Sequence, residues 1–159
     1  MHPGAATSEP VINTDLMPTL LALTRIAPPE GLDGSSFAGL LTGGARQGAR
    51  TFFWHIPHYT KQGGRPGGAV REGNWKLIED HEDGRVELFN LEKDPLEAND
   101  LAEREPARAA AMRKRLAEWR ASVGAQENSP NPDFDPSRTG NSISRLMCPA
   151  WSRRPRPRS

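Results

Sequence analysis

The stretch AVREGNWKLIEDHEDGRVELFNL, residues 69–91, contains three strand-like runs separated by two short turns. The first turn holds Gly73 and Asn74, residue types that adopt the backbone conformations of tight turns readily. The second turn, EDGR, leads directly into VELFNL. Because connections this short join antiparallel neighbours, the stretch predicts three consecutive antiparallel strands.

A further strand is predicted upstream, at TFFWHI, residues 51–56. Successive side chains of a strand point to opposite faces of the sheet. Phe52, Trp54 and Ile56 therefore share one face, and Phe53 and His55 share the other. The small sheet thus has large side chains available on both of its faces.

A long helix is predicted after the sheet, in EPARAAAMRKRLAEWRASVG, residues 105–124. Pro106 suits the first helical position and Gly124 suits the position just past the end. An apolar stripe at helical spacing would cover one face of the sheet; it consists of Met112, Leu116, Trp119 and Val123. We expect Trp54, Trp75 and Trp119 to be core residues, and the acids of EKDPLEANDLAE to cap and start helices.

The region before the sheet predicts a leading helix in TDLMPTLLALTRI, residues 14–26, and a short helical turn in SSFAGLLTGG, residues 35–44. Thr14 is a suitable N-cap, and Pro18 is early enough to be tolerated in the first turn. The apolar face of this helix includes Leu16, Leu20 and Leu23. Because the sheet already has a helix to cover it, we expect the leading helix to pack on a domain that lies upstream.

Composition limits the classes of protein that the chain can represent. Its 159 residues include 15 Gly and 15 Pro, and 35% are hydrophobic, which leaves room for one modest core. The single cysteine, Cys148, excludes an internal disulfide framework and an all-cysteine metal cage. The first ten residues lack the basic start and apolar centre of a signal peptide, so with Met1 as the native start the chain would be cytoplasmic.

Several segments occur in a recognisable order: DLMPTLL, LDGSSFAGLL, RTFFWHIPHY, AVREGNWKLI and ELFNLEKDPLEANDLAE, followed by an amphipathic helix. This order resembles the C-terminal part of sulfatases, the arylsulfatase and N-sulfoglucosamine sulfohydrolase-like enzymes of the alkaline-phosphatase-like superfamily. The resemblance runs from about Val11 to Asp135. Its most specific part is GNWKLI together with ELFNLEKDPLEANDLA, since an acidic, asparagine-containing turn after a hairpin is unusual.

The resemblance implies that the parent enzyme hydrolyses a sulfate ester with a calcium ion and a formylglycine made within a C/S-x-P-S-R motif. This chain has no such motif, because in CPAWSR proline follows Cys148 directly. The acids here lie in predicted turns and helix starts, whereas a hard-cation site needs about six converging oxygen ligands. We therefore expect no catalytic and no metal-binding residues in this chain, and no activity from it alone.

The candidate substrate-binding residues lie in HIPHYTKQGGRPGG, residues 55–68. In the resembling family, loops of the C-terminal subdomain help to form the substrate pocket, which implies such a role for His55, His58, Tyr59, Lys61 and Arg65. Lysine and arginine offer charge-assisted hydrogen bonds to sulfate, and a tyrosine ring can stack on a sugar. A solvated hairpin loop remains the alternative. We expect no zinc at His55 and His58, because catalytic zinc normally needs three protein ligands.

These features predict an α+β fold, a small antiparallel β-sheet packed by a C-terminal amphipathic helix and preceded by a helix of the missing catalytic α/β domain. The expected organisation is the end of that domain in residues 1–45, the sulfatase C-terminal subdomain in 46–125 and an extended or disordered tail in 126–159. The expected partners are the N-terminal catalytic domain and, through the parent, a sulfated small molecule or sugar.

Two alternatives of other classes stay open. One is a stand-alone, non-enzymatic binding module, whose basic end SRRPRPRS would attract nucleic acid without specificity. The other is an inert gene fragment. We expect no membrane partner, because no apolar run approaches the roughly 20 residues that span a bilayer. The compartment also stays open, since enzymes of the resembling family are often periplasmic, secreted or lysosomal.

Overall fold

The computed structural model describes residue 4 and residues 6–44, 48–60 and 64–129. The described residues divide into two compact units, one within residues 1–49 and the other within residues 50–159. Of the extended or disordered tail predicted for residues 126–159, residues 130–159, which include Cys148, fall outside the described residues. Within those residues, no helix combines the length and the apolar character that crossing a membrane requires.

The first unit contains a 3-10 turn, Asn13–Asp15, that leads into helix α1, Leu16–Thr24, and a shorter helix α2, Ala38–Leu41. The leading helix and the short helical turn were therefore predicted correctly. The predicted N-cap was wrong, because the side chain that accepts a backbone N–H at the start of this helical segment is that of Asp15 and not that of Thr14. Asp15 is fully buried and accepts the backbone N–H of Ile12 at 3.1 Å.

Helix α1 buries Pro18 and Thr19 and leaves much of its apolar face exposed. The Thr19 hydroxyl is buried and accepts the backbone N–H of Phe37 at 3.0 Å, which ties the helix to the segment before α2. The leucines of the apolar face, Leu16, Leu20 and Leu23, are all exposed. Packing of this face on an upstream domain stays a prediction.

The second unit is built on a sheet of four antiparallel strands in the order β1-β2-β3-β4. The strands are β1, Thr51–Ile56, β2, Gly67–Glu72, β3, Trp75–Asp80, and β4, Val86–Asn90. Gly73 and Gly84 have φ angles of 57° and 69° in the two tight turns, a region that favours glycine. The predicted antiparallel sheet is confirmed.

Helix α3, Pro106–Ser122, crosses one face of this sheet. The core between them consists of buried apolar side chains, from the strands Val70, Leu77 and Leu88 and from the helix Ala109, Met112 and Leu116. The α+β fold with a covering C-terminal helix is therefore confirmed. Val123 was wrongly placed on the covered stripe, because α3 ends at Ser122 and the Val123 side chain is exposed.

The three tryptophans predicted to be core residues differ in their burial. Trp75 and Trp119 pack against the core, and Trp119 stacks on Phe53 with ring centroids 4.8 Å apart. Trp54 is 39% exposed, so its prediction as a core residue was wrong. Because Phe53 points toward α3, the alternation of β1 sends Trp54 to the opposite face of the sheet.

The acidic segment after β4 orders turns and starts no helix. The Asp94 carboxylate accepts the backbone N–H of Asn99 at 2.7 Å, and the Asp100 carboxylate accepts that of Leu88 at 3.0 Å. Glu105 is the N-cap of α3 but makes no side-chain capping bond. The predicted helix-capping role of these acids was therefore wrong, since their oxygens serve loop and strand N–H groups instead.

Candidate functional site at the loop edge of the sheet

Two connections meet where β1 ends, β2 begins and β3 ends. They are the described parts of the β1–β2 loop, residues 57–60 and 64–66, and the β3–β4 turn, residues 81–85. The backbone N–H of His81 donates to the carbonyl of Pro66 at 2.9 Å, which joins the two connections. We call this region the loop edge.

Two predicted site residues come together at the loop edge through Glu82. The hydroxyl of Tyr59 donates to the Glu82 carboxylate, and the Arg65 guanidinium lies 3.3 Å from the same carboxylate and 3.4 Å from that of Asp80. The Tyr59 side chain is nevertheless 61% exposed. His58 is exposed two residues past the end of β1.

The surroundings of Tyr59 raise the pKa of its hydroxyl. The hydrogen bond to Glu82 is the main cause that raises the pKa of Tyr59 above its ordinary value, with desolvation and the Glu82 charge acting in the same direction. The Arg65 charge opposes them. Because solvent-exposed ion pairs contribute only about 0–1 kcal/mol, Arg65 can exchange its carboxylate partners for another anion at small cost.

The remaining predicted site residues have different positions. Lys61 lies outside the described residues. His55 sits in β1 as a strand residue, where its Nε2 is 2.7 Å from the carbonyl of Gln126 and its Nδ1 is 3.2 Å from Nε2 of His81. The ring of His55 therefore pairs with a histidine that the sequence patterns did not single out.

A polar cluster links this histidine pair to helix α3. Glu79, whose side chain is 7% exposed, accepts from Nε of Arg113 at 2.8 Å and from Nη1 of Arg120 at 3.0 Å. The same Nη1 lies 3.3 Å from Nδ1 and 3.4 Å from Nε2 of His81. We call Glu79, His81, His55, Arg113 and Arg120 the histidine–arginine cluster.

The cluster lowers the pKa of His81 below its usual value of 6.5. Desolvation is the largest cause and the positive charge of Arg120 is the second, while the negative charge of Glu79 opposes both. The imidazole is therefore neutral at pH 7.

One sequence signal could have pointed to this cluster. Leu77, Glu79 and His81 alternate along the chain and so continue one face of β3 into the turn. Gly68 lets Leu116 of α3 approach the sheet closely, because a Cβ there would lie 3.2 Å from Cδ2 of Leu116, with Cε1 of His81 in ordinary contact at 3.5 Å. Glu79 is an acid on the face of the sheet that α3 covers. A buried carboxylate needs a positively charged partner, and α3 supplies Arg113 and Arg120.

The described residues do not fit the calcium site of the resembling family. No group of three or more His, Cys, Asp or Glu side chains that could hold a metal ion occurs among them. Nor does the chain contain the motif from which the formylglycine is made. We therefore assign no step of the reaction to a metal or to a modified nucleophile in this part of the chain.

The other face of the sheet carries an open cavity of about 430 Å³. Its lining includes Trp54, Ile56 and the ion pair between Lys76 and Glu97, whose charged atoms are 2.6 Å apart. The Lys76 side chain is partly exposed on this face.

Comparisons with known proteins agree with this architecture. A protein assigned as a sulfatase from Bacteroides thetaiotaomicron has a TM-score of 0.62 and 29% sequence identity, over 77% of this chain and 27% of that one. A 2-O GAG sulfatase has a TM-score of 0.58 and 27% identity, over 74% of this chain and 27% of that one. This chain thus spans about a quarter of the length of these solved structures.

A third solved structure, of a protein in complex with its substrate D-glucosamine-2-N,6-O-disulfate, shares the fold at a TM-score of 0.54 and 19% identity, over 76% of this chain and 25% of that one. No curated protein sequence matches the chain. The family model described as N-sulphoglucosamine sulphohydrolase, C-terminal, matches residues 1–122. The match covers most of the chain and agrees with its four-stranded sheet and covering helix, so the chain belongs to the N-sulphoglucosamine sulphohydrolase C-terminal family.

Proposed function

We propose that this chain supplies the C-terminal subdomain of an enzyme that hydrolyses sulfate esters on a carbohydrate. The family match over residues 1–122 carries the proposal, and the similarity to a 2-O GAG sulfatase at 27% identity supports a sulfated sugar as the substrate class. The calcium ion and the formylglycine would belong to the larger N-terminal part of the enzyme. That part would also be the partner of the exposed leucine face of α1.

Within such an enzyme, the loop edge forms one wall of the substrate pocket. Tyr59 presents an exposed ring that can stack on a sugar, and Glu82 fixes its orientation through the hydroxyl. Arg65 lies next to it and offers a planar, permanently charged donor that matches the oxygens of a sulfate group. His58 contributes a further exposed polar group from the same loop, and Lys61 adds a cation.

His55 has a supporting role in this proposal. Both of its ring nitrogens lie within hydrogen-bond distance of protein atoms, Nε2 of the Gln126 carbonyl and Nδ1 of the His81 ring. Its capacity for contact with a substrate is therefore already used. The groups left for a ligand are those of the loop itself.

The proposal is tested by kinetics of a full-length sulfatase that carries this segment. Arg65→Ala should raise KM for a sulfated disaccharide with a smaller effect on kcat, because the lost interaction exists in both the ground state and the transition state. A charge-assisted hydrogen bond corresponds to a loss in kcat/KM of roughly ten- to a hundredfold. The effect should be smaller for a small aryl sulfate, which does not reach the loop.

The matched control is Arg115→Ala. Arg115 is also a partly exposed arginine with a carboxylate partner, Glu72 at 2.7 Å, but Glu72 pairs with Thr51 at the opposite end of the sheet. Its removal should leave KM unchanged. If Arg65→Ala, His58→Ala and the control all leave KM unchanged for the sulfated disaccharide, the loop is a solvated hairpin and the pocket assignment is wrong.

A further inference from the structure

Two cations lie side by side on the face of the sheet opposite α3, which we call the open face. Arg71 of β2 and Lys76 of β3 are directly opposite each other in the strand register. Both belong to the open face, because their chain neighbours Val70 and Leu77 point into the core beneath α3. Like charges in directly opposite positions of a sheet repel each other. The pair therefore needs negative charge close by.

One of the two cations has a carboxylate partner and the other has none among the described residues. Nζ of Lys76 lies 2.6 Å from the carboxylate of Glu97, whose φ angle is 54°. A glutamate adopts this left-handed conformation only where its surroundings hold it there. Nε of Arg71 donates to the carbonyl of Gly73 at 3.1 Å, and within the described part of the chain its guanidinium forms no ion pair.

The other acids of the sheet already have arginine partners. Glu79 is bound by the two arginines of the histidine–arginine cluster. The remaining pairs are Asp80 with Arg65, Glu87 with Arg85, and Glu72 with Arg115. The carboxylate that would complete the Arg71–Lys76 pair therefore lies outside the sheet.

Exposed apolar side chains lie on the same surface as Arg71. Trp54 and Ile56 of β1 line the cavity of about 430 Å³ together with Arg71, and they are 39% and 46% exposed. The residue opposite Trp54 on β2 is Ala69, whose side chain is small. An apolar patch of this kind, with a cation beside it, is typical of a protein contact surface.

We propose that the open face around Arg71 is a contact surface for the N-terminal part of the enzyme, in which a carboxylate of that part pairs with Arg71 and a neighbouring apolar side chain fills the cavity over Trp54 and Ile56. The inference rests on the proposed function, which supplies this partner. This chain spans 27% of each of two related sulfatase structures, so the rest of such an enzyme is large enough to provide the covering segment. The two Nη groups of Arg71 remain free for a bidentate bond to a carboxylate.

Two other occupants fit this surface less well. A symmetric contact with a second copy of the chain joins like patches, so it would bring a second Arg71–Lys76 pair to the same place and increase the repulsion. A sulfated sugar would match the cations and the Trp54 ring. It would, however, place polar hydroxyl groups against Ile56, which offers them no hydrogen bond.

The first test measures whether the open face is covered in the full-length enzyme. The thiol introduced by Ile56→Cys should react with a soluble alkylating reagent in the isolated chain and at least roughly tenfold more slowly in the enzyme, because reaction there requires the contact to open. The control is Lys114→Cys, at a position where the lysine side chain is 77% exposed, and it should react at similar rates in both. Peptide mapping separates either site from Cys148. If Ile56→Cys is slowed no more than the control, the inference is overturned.

The second test compares the effect of Arg71→Gln in the isolated chain and in the enzyme. In the isolated chain, relief of the repulsion from Lys76 offsets the loss of an exposed hydrogen bond, so the Tm should change by less than about 1 °C. In the enzyme a carboxylate loses its partner, and the Tm should fall by at least about 2 °C. Arg115→Gln, which breaks an exposed ion pair within this chain, is the control and should change neither Tm by more than about 1 °C. An equal loss in chain and enzyme on Arg71→Gln would show that Arg71 acts within this chain and would overturn the inference.

Further outcomes separate the occupants and the two proposals. If the isolated chain binds a sulfated disaccharide and Arg71→Gln abolishes that binding, or if the chain forms a dimer that protects Ile56→Cys, another occupant takes the surface and the inference fails. If Ile56→Cys is protected in the enzyme but Arg65→Ala and His58→Ala leave KM unchanged, the pocket assignment fails and the inference stands. If Arg65→Ala raises KM while Ile56→Cys stays reactive in the enzyme, the inference fails and the proposed function stands.

Discussion

Replacement of Arg120 by methionine should destabilise the sheet-and-helix unit much more than the same replacement of Arg113. Both arginines bind Glu79, but the Arg120 side chain is 13% exposed and that of Arg113 is 49% exposed. Methionine keeps much of the apolar contact of the arginine stem, so the change mainly removes the charged group. The comparison therefore isolates the effect of burial on one carboxylate with two partners.

The magnitude follows from what each replacement leaves behind. Without Arg120, one oxygen of the buried Glu79 loses a charge-assisted hydrogen bond, which contributes about 1.5–3 kcal/mol. Arg113 still neutralises the carboxylate, so the larger penalty of about 3–5 kcal/mol for a buried charge left without any partner is not reached. We expect Arg120→Met to lower the free energy of unfolding by about 2–3 kcal/mol. Arg113→Met should lower it by about 1 kcal/mol or less, as for exposed pairs.

Urea unfolding, followed by tryptophan fluorescence, measures both effects. At an m-value of about 1.5 kcal/mol per molar urea, Arg120→Met should lower the midpoint by about 1.3–2 M. Lys114→Met on the exposed side of α3, where the lysine side chain is 77% exposed, is the control and should change stability by less than about 0.5 kcal/mol. An equal or larger loss in Arg113→Met than in Arg120→Met would refute the reasoning.

A double-mutant cycle separates the contribution of the Arg120–Glu79 hydrogen bond from the other effects of Arg120→Met. In a Glu79→Gln background the carboxylate is gone, so Arg120→Met should cost less there by at least about 1 kcal/mol. Equal costs in the two backgrounds would show that Arg120 acts through packing alone.

Three further predictions concern the backbone and the exposed helix. Gly68→Ala should lower the free energy of unfolding by about 1–3 kcal/mol, because the added Cβ would lie 3.2 Å from Cδ2 of Leu116; an unchanged urea midpoint would contradict this. Asp100→Ala should cost about 1–3 kcal/mol, because it removes the acceptor of the Leu88 N–H, and Asp100→Asn, which keeps an acceptor oxygen, should restore most of the loss. The isolated chain should self-associate through the exposed leucine face of α1, and Leu20→Glu should reduce this association in sedimentation experiments while helix content by circular dichroism stays the same. Unaltered association in the variant would show that the leucine face is not its cause.

The sheet and its covering helix could be predicted because local chemistry marks their limits. Gly73 and Gly84 lie at tight turns between alternating runs, and Pro106 and Gly124 bracket α3. The exposure of Trp54 could not be predicted in the same way. Alternation shows which residues of a strand share a face, but the choice of the covered face depends on where α3 docks.

The candidate site was only partly predictable for a related reason. The loop with Tyr59 and Arg65 stood out by composition, but their shared partner Glu82 comes from another turn. That turn meets the loop because β2 pairs with β3 in the register that sets Gly67 opposite Asp80. The contact of Arg120 with Glu79 depends in addition on the rotation of α3 over the sheet, which no local pattern records.

The order of the strands has a consequence for how the chain folds during synthesis. Each strand pairs with the strand made just before it, so each hairpin can close as soon as both of its strands have left the ribosome. Such short-range pairing favours fast folding. The apolar face of the nascent sheet, with Val70, Leu77 and Leu88, stays open until α3 has been translated. At about 5–20 residues per second this interval lasts seconds, and it is the period when the growing chain is most exposed to wrong partners.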